Sequence, residues 1–77
     1  MTLDEAKKVF PPIFTIYDHP KDQPRWFVVR VRYGDIPGEA CLRVNLEMAR
    51  KAAWCMGAEV KLPKSAFDDP KIVESWI

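Results

Sequence analysis

The stretch Trp26-Phe27-Val28-Val29-Arg30-Val31-Arg32-Tyr33 decides how the rest of the chain is read. Taken with a period of two, it separates into an apolar set (Phe27, Val29, Val31, Tyr33) and a mixed set (Trp26, Val28, Arg30, Arg32). Successive side chains of a β-strand point to opposite faces, so the first set is expected in a core and the second toward solvent or a partner. An aromatic ring in register with two arginines suits binding, since Trp and Arg are the commonest interface anchors. It specifies no bond chemistry.

Beyond that strand, Gly34-Asp35-Ile36-Pro37-Gly38 is a turn-rich connection short enough for an antiparallel hairpin. Glu39 to Val44 alternates again, which predicts Ala40, Leu42 and Val44 on the same apolar face as Phe27, Val29 and Val31. Asn45 is a good N-cap for a helix from Leu46 to Met56, and Gly57 sits where a left-handed C-cap residue belongs. Leu46, Ala49, Ala53 and Met56 follow helical spacing and Ala52 widens the stripe, so small side chains let this helix lie close over a sheet. Trp54, opposite that stripe and beside Arg50 and Lys51, is expected to cover an N-terminal helix.

That first helix is predicted over about residues 2–10 from the capping-box pair Thr2 and Glu5, with Leu3, Ala6, Val9 and Phe10 as its apolar stripe. Pro11-Pro12 ends it, Ile13 to Tyr17 is a short extended segment, and Asp18 to Pro24 is a surface loop. Past Glu59 to Leu62, the run Pro63 to Pro70 reads as another loop. The end, from Ile72, is rich in β-formers and too brief for an independent helix, so it is expected as a strand pairing with an edge of the hairpin.

These elements predict one α+β domain over residues 1–77, with residues 1–12 as an N-terminal helical extension. A small antiparallel sheet of about three strands, starting at Trp26, Glu39 and Ile72, is covered on one face by the helix from Leu46. The expected core is Phe27, Val29, Val31, Tyr33, Ala40, Leu42, Val44, Leu46, Ala49, Ala53, Met56, Val73 and Ile77.

With 77 residues, 48% hydrophobic and 30% charged, the chain has an ordinary globular composition. A core of this size leaves roughly 3–5 kcal/mol of stability, which is a reason to consider a homodimer. Twelve Lys and Arg against eleven Asp and Glu give a net charge of +1, far from the basic balance of a dedicated nucleic-acid binder. No leader pattern or long apolar run is present, so the expectation is a cytoplasmic protein with no membrane contact and reduced thiols. Cys41 and Cys55 form neither a CxxC pair nor a ligand set with the lone His19, and are expected as small buried or half-buried fillers. Spacing alone leaves a disulfide between them open.

Two pairs invite chemistry. Asp18-His19 suggests acid–base work, but adjacent residues in an extended loop point apart and no second histidine or nucleophile motif accompanies them. Turn formation is the preferred reading. Asp68-Asp69 lacks the converging oxygens of a cation loop and reads as a solvated turn or a helix cap. With no glycine-rich phosphate loop either, the chain is expected to be no enzyme and to hold no cofactor or metal. The candidate site is instead an interaction face of Trp26, Arg30, Arg32 and Arg43, weighed against a plain solvated face whose arginines pair with Glu39 and Glu74.

Two blocks carry a resemblance: Ile16-Tyr17-Asp18-His19-Pro20-Lys21-Asp22-Gln23-Pro24 leading into Phe27-Val28-Val29-Arg30, and Asp68-Asp69-Pro70-Lys71-Ile72-Val73-Glu74-Ser75-Trp76-Ile77. In that order they resemble a group of small uncharacterised proteins encoded by bacteriophages and prophages. The first dozen residues depart from that pattern and look like an added helix. The resemblance implies a phage-related origin in a bacterial host, agrees with a strand at the tail, and implies no catalytic residue. The expected function is therefore an accessory or inhibitor module that binds a host or phage protein. The alternative is a single-stranded nucleic-acid-binding module, with the arginines tracking phosphates and Trp26 stacking on a base.

Overall fold

The structure, a computed structural model, describes residues 1–63 and 70–77. Most of the loop expected at Pro63 to Pro70, with Asp68 and Asp69, lies outside the described residues.

Helix α1 (Leu3–Val9) begins at the expected capping box: the Glu5 amide donates to the Thr2 hydroxyl at 3.3 Å, and the Thr2 amide donates to the Glu5 carboxylate at 3.3 Å. Of its predicted stripe, Ala6 is fully buried and Leu3 half-buried, whereas Val9 and Phe10 are exposed. Strand β1 (Pro12–Asp18) follows, then β2 (Phe27–Tyr33), β3 (Ile36–Arg43), helix α2 (Leu46–Cys55), β4 (Lys61–Leu62) and β5 (Ile72–Trp76). Asn45 caps α2 by accepting the Met48 amide at 2.8 Å. Gly57, at φ +114°, lets the Ala58 amide reach the Ala53 carbonyl and the Gly57 amide the Trp54 carbonyl, which satisfies the last turn. Among the described residues no helix is long and apolar enough to cross a membrane.

All five strands pair antiparallel in the order β3-β2-β1-β5-β4. The expected sheet of about three strands is thus too small. The extended segment before the loop is its central strand, and the tail pairs with β1 and β4 rather than with the β2–β3 hairpin. Strand β1 is paired along both edges and carries Phe14, Thr15 and Ile16 consecutively buried, as suits the central strand.

One layer of helix covers one face. Phe14 and Ile16 of β1, Val29 and Val31 of β2 and Cys41 of β3 pack with Ala49, Ala52 and Ala53 of α2, joined by Phe27, Tyr33, Leu46, Met56 and Trp76. Alanines at the contact allow the close approach the sequence predicts. Helix α1 lies by the hairpin, where the Lys7 ammonium is 5.8 Å from the centre of the Tyr33 ring.

The phase of β3 is opposite to expectation. The hairpin begins in step, Tyr33 opposite Ile36 and Arg32 opposite Pro37 across the two-residue loop Gly34-Asp35. A bulge opposite Val31 then inserts one residue, so Arg30 faces Ala40, Val29 faces Cys41 and Val28 faces Leu42. Cys41 enters the core, while Ala40, Leu42 (37% exposed) and Val44 (60% exposed) leave it. Gly38 makes the bulge feasible, since a Cβ there would lie 2.9 Å from the Tyr33 ring and 3.2 Å from the Val31 carbonyl oxygen. The tail shows a similar correction: Glu74 and Trp76 point to the helix side, Val73 is only half-buried and Ile77 is 44% exposed.

Candidate interaction face

Register assigns each residue of the sheet to a face. The side without helices presents three cross-strand rows: Leu62, Ser75, Thr15, Arg30 and Ala40; Ile72, Tyr17, Val28 and Leu42; and Ile13, Arg32 and Pro37. Val28, expected toward solvent or a partner, is buried almost completely on this side, as is Thr15. Around them stand half-buried Ile13, Tyr17, Arg30 and Ile72, with Arg32 exposed.

Arg30 and Arg32 therefore do share an open face, as predicted, but the four-residue set does not assemble. Arg43 pairs across strands with Phe27, a core-packing residue, so it lies on the helix side, where its guanidinium donates to the Leu42 carbonyl at 2.7 Å. The one-residue bulge is the cause of this move. Trp26 stands half-buried in the loop before β2, its amide donating to the Gln23 carbonyl at 3.2 Å. Tyr17, which sequence reasoning left unassigned, supplies an aromatic ring on the open face instead: the Arg30 guanidinium carbon sits 5.5 Å from its centre.

The loop between β1 and β2 reaches onto this face. Pro20 is buried, and the Asp22 carboxylate accepts a charged hydrogen bond from Arg30. Neither Glu39 nor Glu74 takes that part, contrary to expectation. At the start of the loop His19 adopts φ +49°, its ring engages the Asp18 carboxylate and its edge packs on Phe27 with centroids 5.0 Å apart. The two side chains meet instead of pointing apart, because the left-handed turn at His19 swings one onto the other. The turn role stands, with the ring spent on packing.

Glu74 is the feature that sequence reasoning missed. It is 5% exposed, on the helix side of β5, where Arg50 of α2 holds it through two bonds of 2.9 and 2.7 Å. Lys61 of β4 lies 3.1 Å away and the Trp76 indole donates at 3.3 Å. The Arg50 fork, ahead of the opposing effect of burial and with help from Lys61 and Trp76, lowers the carboxyl to about 2. Trp54 closes the cluster by packing edge-on against Trp76, centroids 5.9 Å apart, and does not cover α1, which lies by the hairpin. No buried side-chain polar atom among the described residues lacks a partner, so this cluster reads as a strut. The signal available in the sequence was the alternation of Glu74 with Trp76 inside a β-forming run.

Cys41 sits 4.0 Å from the Met56 sulfur as a core filler, while Cys55 is exposed on the last turn of α2 and both are free thiols. Among the described residues, no three His, Cys, Asp or Glu side chains gather to hold a metal ion. Comparison with known proteins leaves the face to be read from its own geometry, since no family model, curated protein or solved structure matches the chain.

Proposed function

We propose that this protein is a non-enzymatic binding module that docks a protein partner on the open face of its sheet. The observation that supports this is the composition of the helix-free side. Two arginines and a tyrosine stand among half-buried aliphatic side chains on a rigid, paired backbone. The near-neutral net charge favours a protein partner over a general polyanion. The resemblance to small bacteriophage and prophage proteins makes the reading more specific: an accessory or inhibitor module acting in the bacterial cytoplasm on a host or phage protein. The nucleic-acid alternative needed Trp26, Arg30, Arg32 and Arg43 together, and Arg43 stands on the other face.

The test is capture from a bacterial host extract by the intact chain and by Arg30→Glu/Arg32→Glu, both verified as folded by circular dichroism. A partner retained by the first and lost by the second is expected. Equal recovery of every captured protein by both would refute the docking face.

A further inference from the structure

We propose that the groove beside Tyr17 receives an extended acidic peptide segment, and that Asp22 occupies the place of one of its carboxylates until the segment displaces it. The inference rests on the docking reading above and names the chemistry of the partner. The groove, about 700 Å³, is lined by Tyr17, Lys21, Asp22 and Arg30 among others, and Arg32 follows Arg30 on the same face of β2, so among the described residues three cationic side chains stand by one carboxylate. That excess of positive charge is local, because the whole chain carries only +1. It selects an anionic occupant.

The internal contact shows which anion the site already takes. One guanidinium nitrogen of Arg30 donates to the Asp22 carboxylate while the group lies near the Tyr17 ring, which leaves further guanidinium donors for a second carboxylate. Both side chains of the pair are well exposed to solvent. An exposed ion pair contributes little net stability, so a partner carboxylate exchanges for Asp22 at small cost.

Spacing supplies the peptide. Arg30 and Arg32 lie two residues apart on one face of β2, roughly 7 Å along the strand at the rise of antiparallel chains. An extended peptide repeats its own side chains at that interval, so carboxylates at alternate positions reach both arginines. Arg32 makes no ion pair among the described residues, and its row neighbours Ile13 and Pro37 give an apolar surround.

Fluorescence anisotropy of the intact chain with fluorescein-labelled octaglutamate, at low and moderate salt, tests this against an octathymidylate probe. Octaglutamate is expected to bind more tightly than the oligonucleotide. Asp22→Asn should tighten octaglutamate binding about two- to fivefold, the range set by one exposed ion pair. Arg30→Gln should weaken it about tenfold or more, as loss of a charged hydrogen bond does, with exposed Arg32→Gln weakening it too. A merely structural Asp22–Arg30 contact predicts the opposite sign: unchanged or weaker binding by Asp22→Asn would overturn the proposal. Tighter binding of octathymidylate would overturn it as well, in favour of a phosphate surface. Absence of octaglutamate binding, with a captured partner still lost on Arg30→Glu/Arg32→Glu, would overturn the acidic-segment proposal alone; loss of both effects would overturn the docking reading with it.

Discussion

Replacing Glu74 by Gln removes the charge that Arg50, Lys61 and Trp76 converge on while keeping size and one acceptor oxygen. A carboxyl drawn from 4.5 down to about 2 by the fold is one whose ionised form the fold favours by about 3 kcal/mol, at about 1.4 kcal/mol per pH unit. Because Gln retains part of the hydrogen bonding, and Arg50 and Lys61 are exposed enough to hydrate, we expect a loss of about 2–3 kcal/mol at pH 7. For a domain of this length that lowers the thermal midpoint by about 10–20 °C. Since the folded carboxyl titrates below the unfolded one, its contribution is fully present above pH 5 and fades as pH falls toward 2. About 2 kcal/mol of it is gone by pH 3. Thermal and denaturant melts followed by circular dichroism at pH 7 and pH 3 check both statements, with Trp54 and Trp76 as a local near-ultraviolet signal. A gap between wild type and Glu74→Gln that stays constant down to pH 3, or lies within about 0.5 kcal/mol at pH 7, refutes the reasoning.

Gly38→Ala should cost about 1–3 kcal/mol in denaturant titration, because its methyl meets the Tyr33 ring and the Val31 carbonyl. Phe14→Ala, in the central strand at 1% exposure, should cost about 3–5 kcal/mol, whereas Leu42→Ala should stay within about 1 kcal/mol; equal costs would restore the bulge-free register. Asn45→Ala should lower stability by about 1 kcal/mol through loss of the α2 cap, read as a shift of about 4–8 °C in the melt.

Local signals were legible and long-range ones were not. Both helices announce themselves by caps at Thr2 and Asn45, and Gly57 ends the second as its position implies. The face of β2 follows from alternation alone, and so do Arg30 and Arg32 on the open side. Ile13 to Tyr17 was legible as an extended segment, but its place at the centre of the sheet was not, because Phe14, Thr15 and Ile16 are buried in succession and show no alternation. The phase of β3 turns on a single inserted residue, whose cause is a steric gap beside Tyr33 that no periodicity records. That one residue also separates Arg43 from its expected companions. The partners of Glu74 lie on α2 and β4, and the Asp22 contact with Arg30 spans a loop, so neither pair leaves a pattern in the sequence.

The order of the strands divides the sheet into two meanders, β1-β2-β3 and β4-β5, each joining neighbours in sequence. A single seam between β1 and β5 stitches together segments from opposite ends of the chain. Helix α2 belongs by packing to the first meander, yet Arg50 and Trp54 reach over the seam to Glu74 and Trp76 of the second. The helix thus acts as a cross-tie. Backbone bonds hold the seam edge to edge, and one turn of α2 clamps it from the helix side.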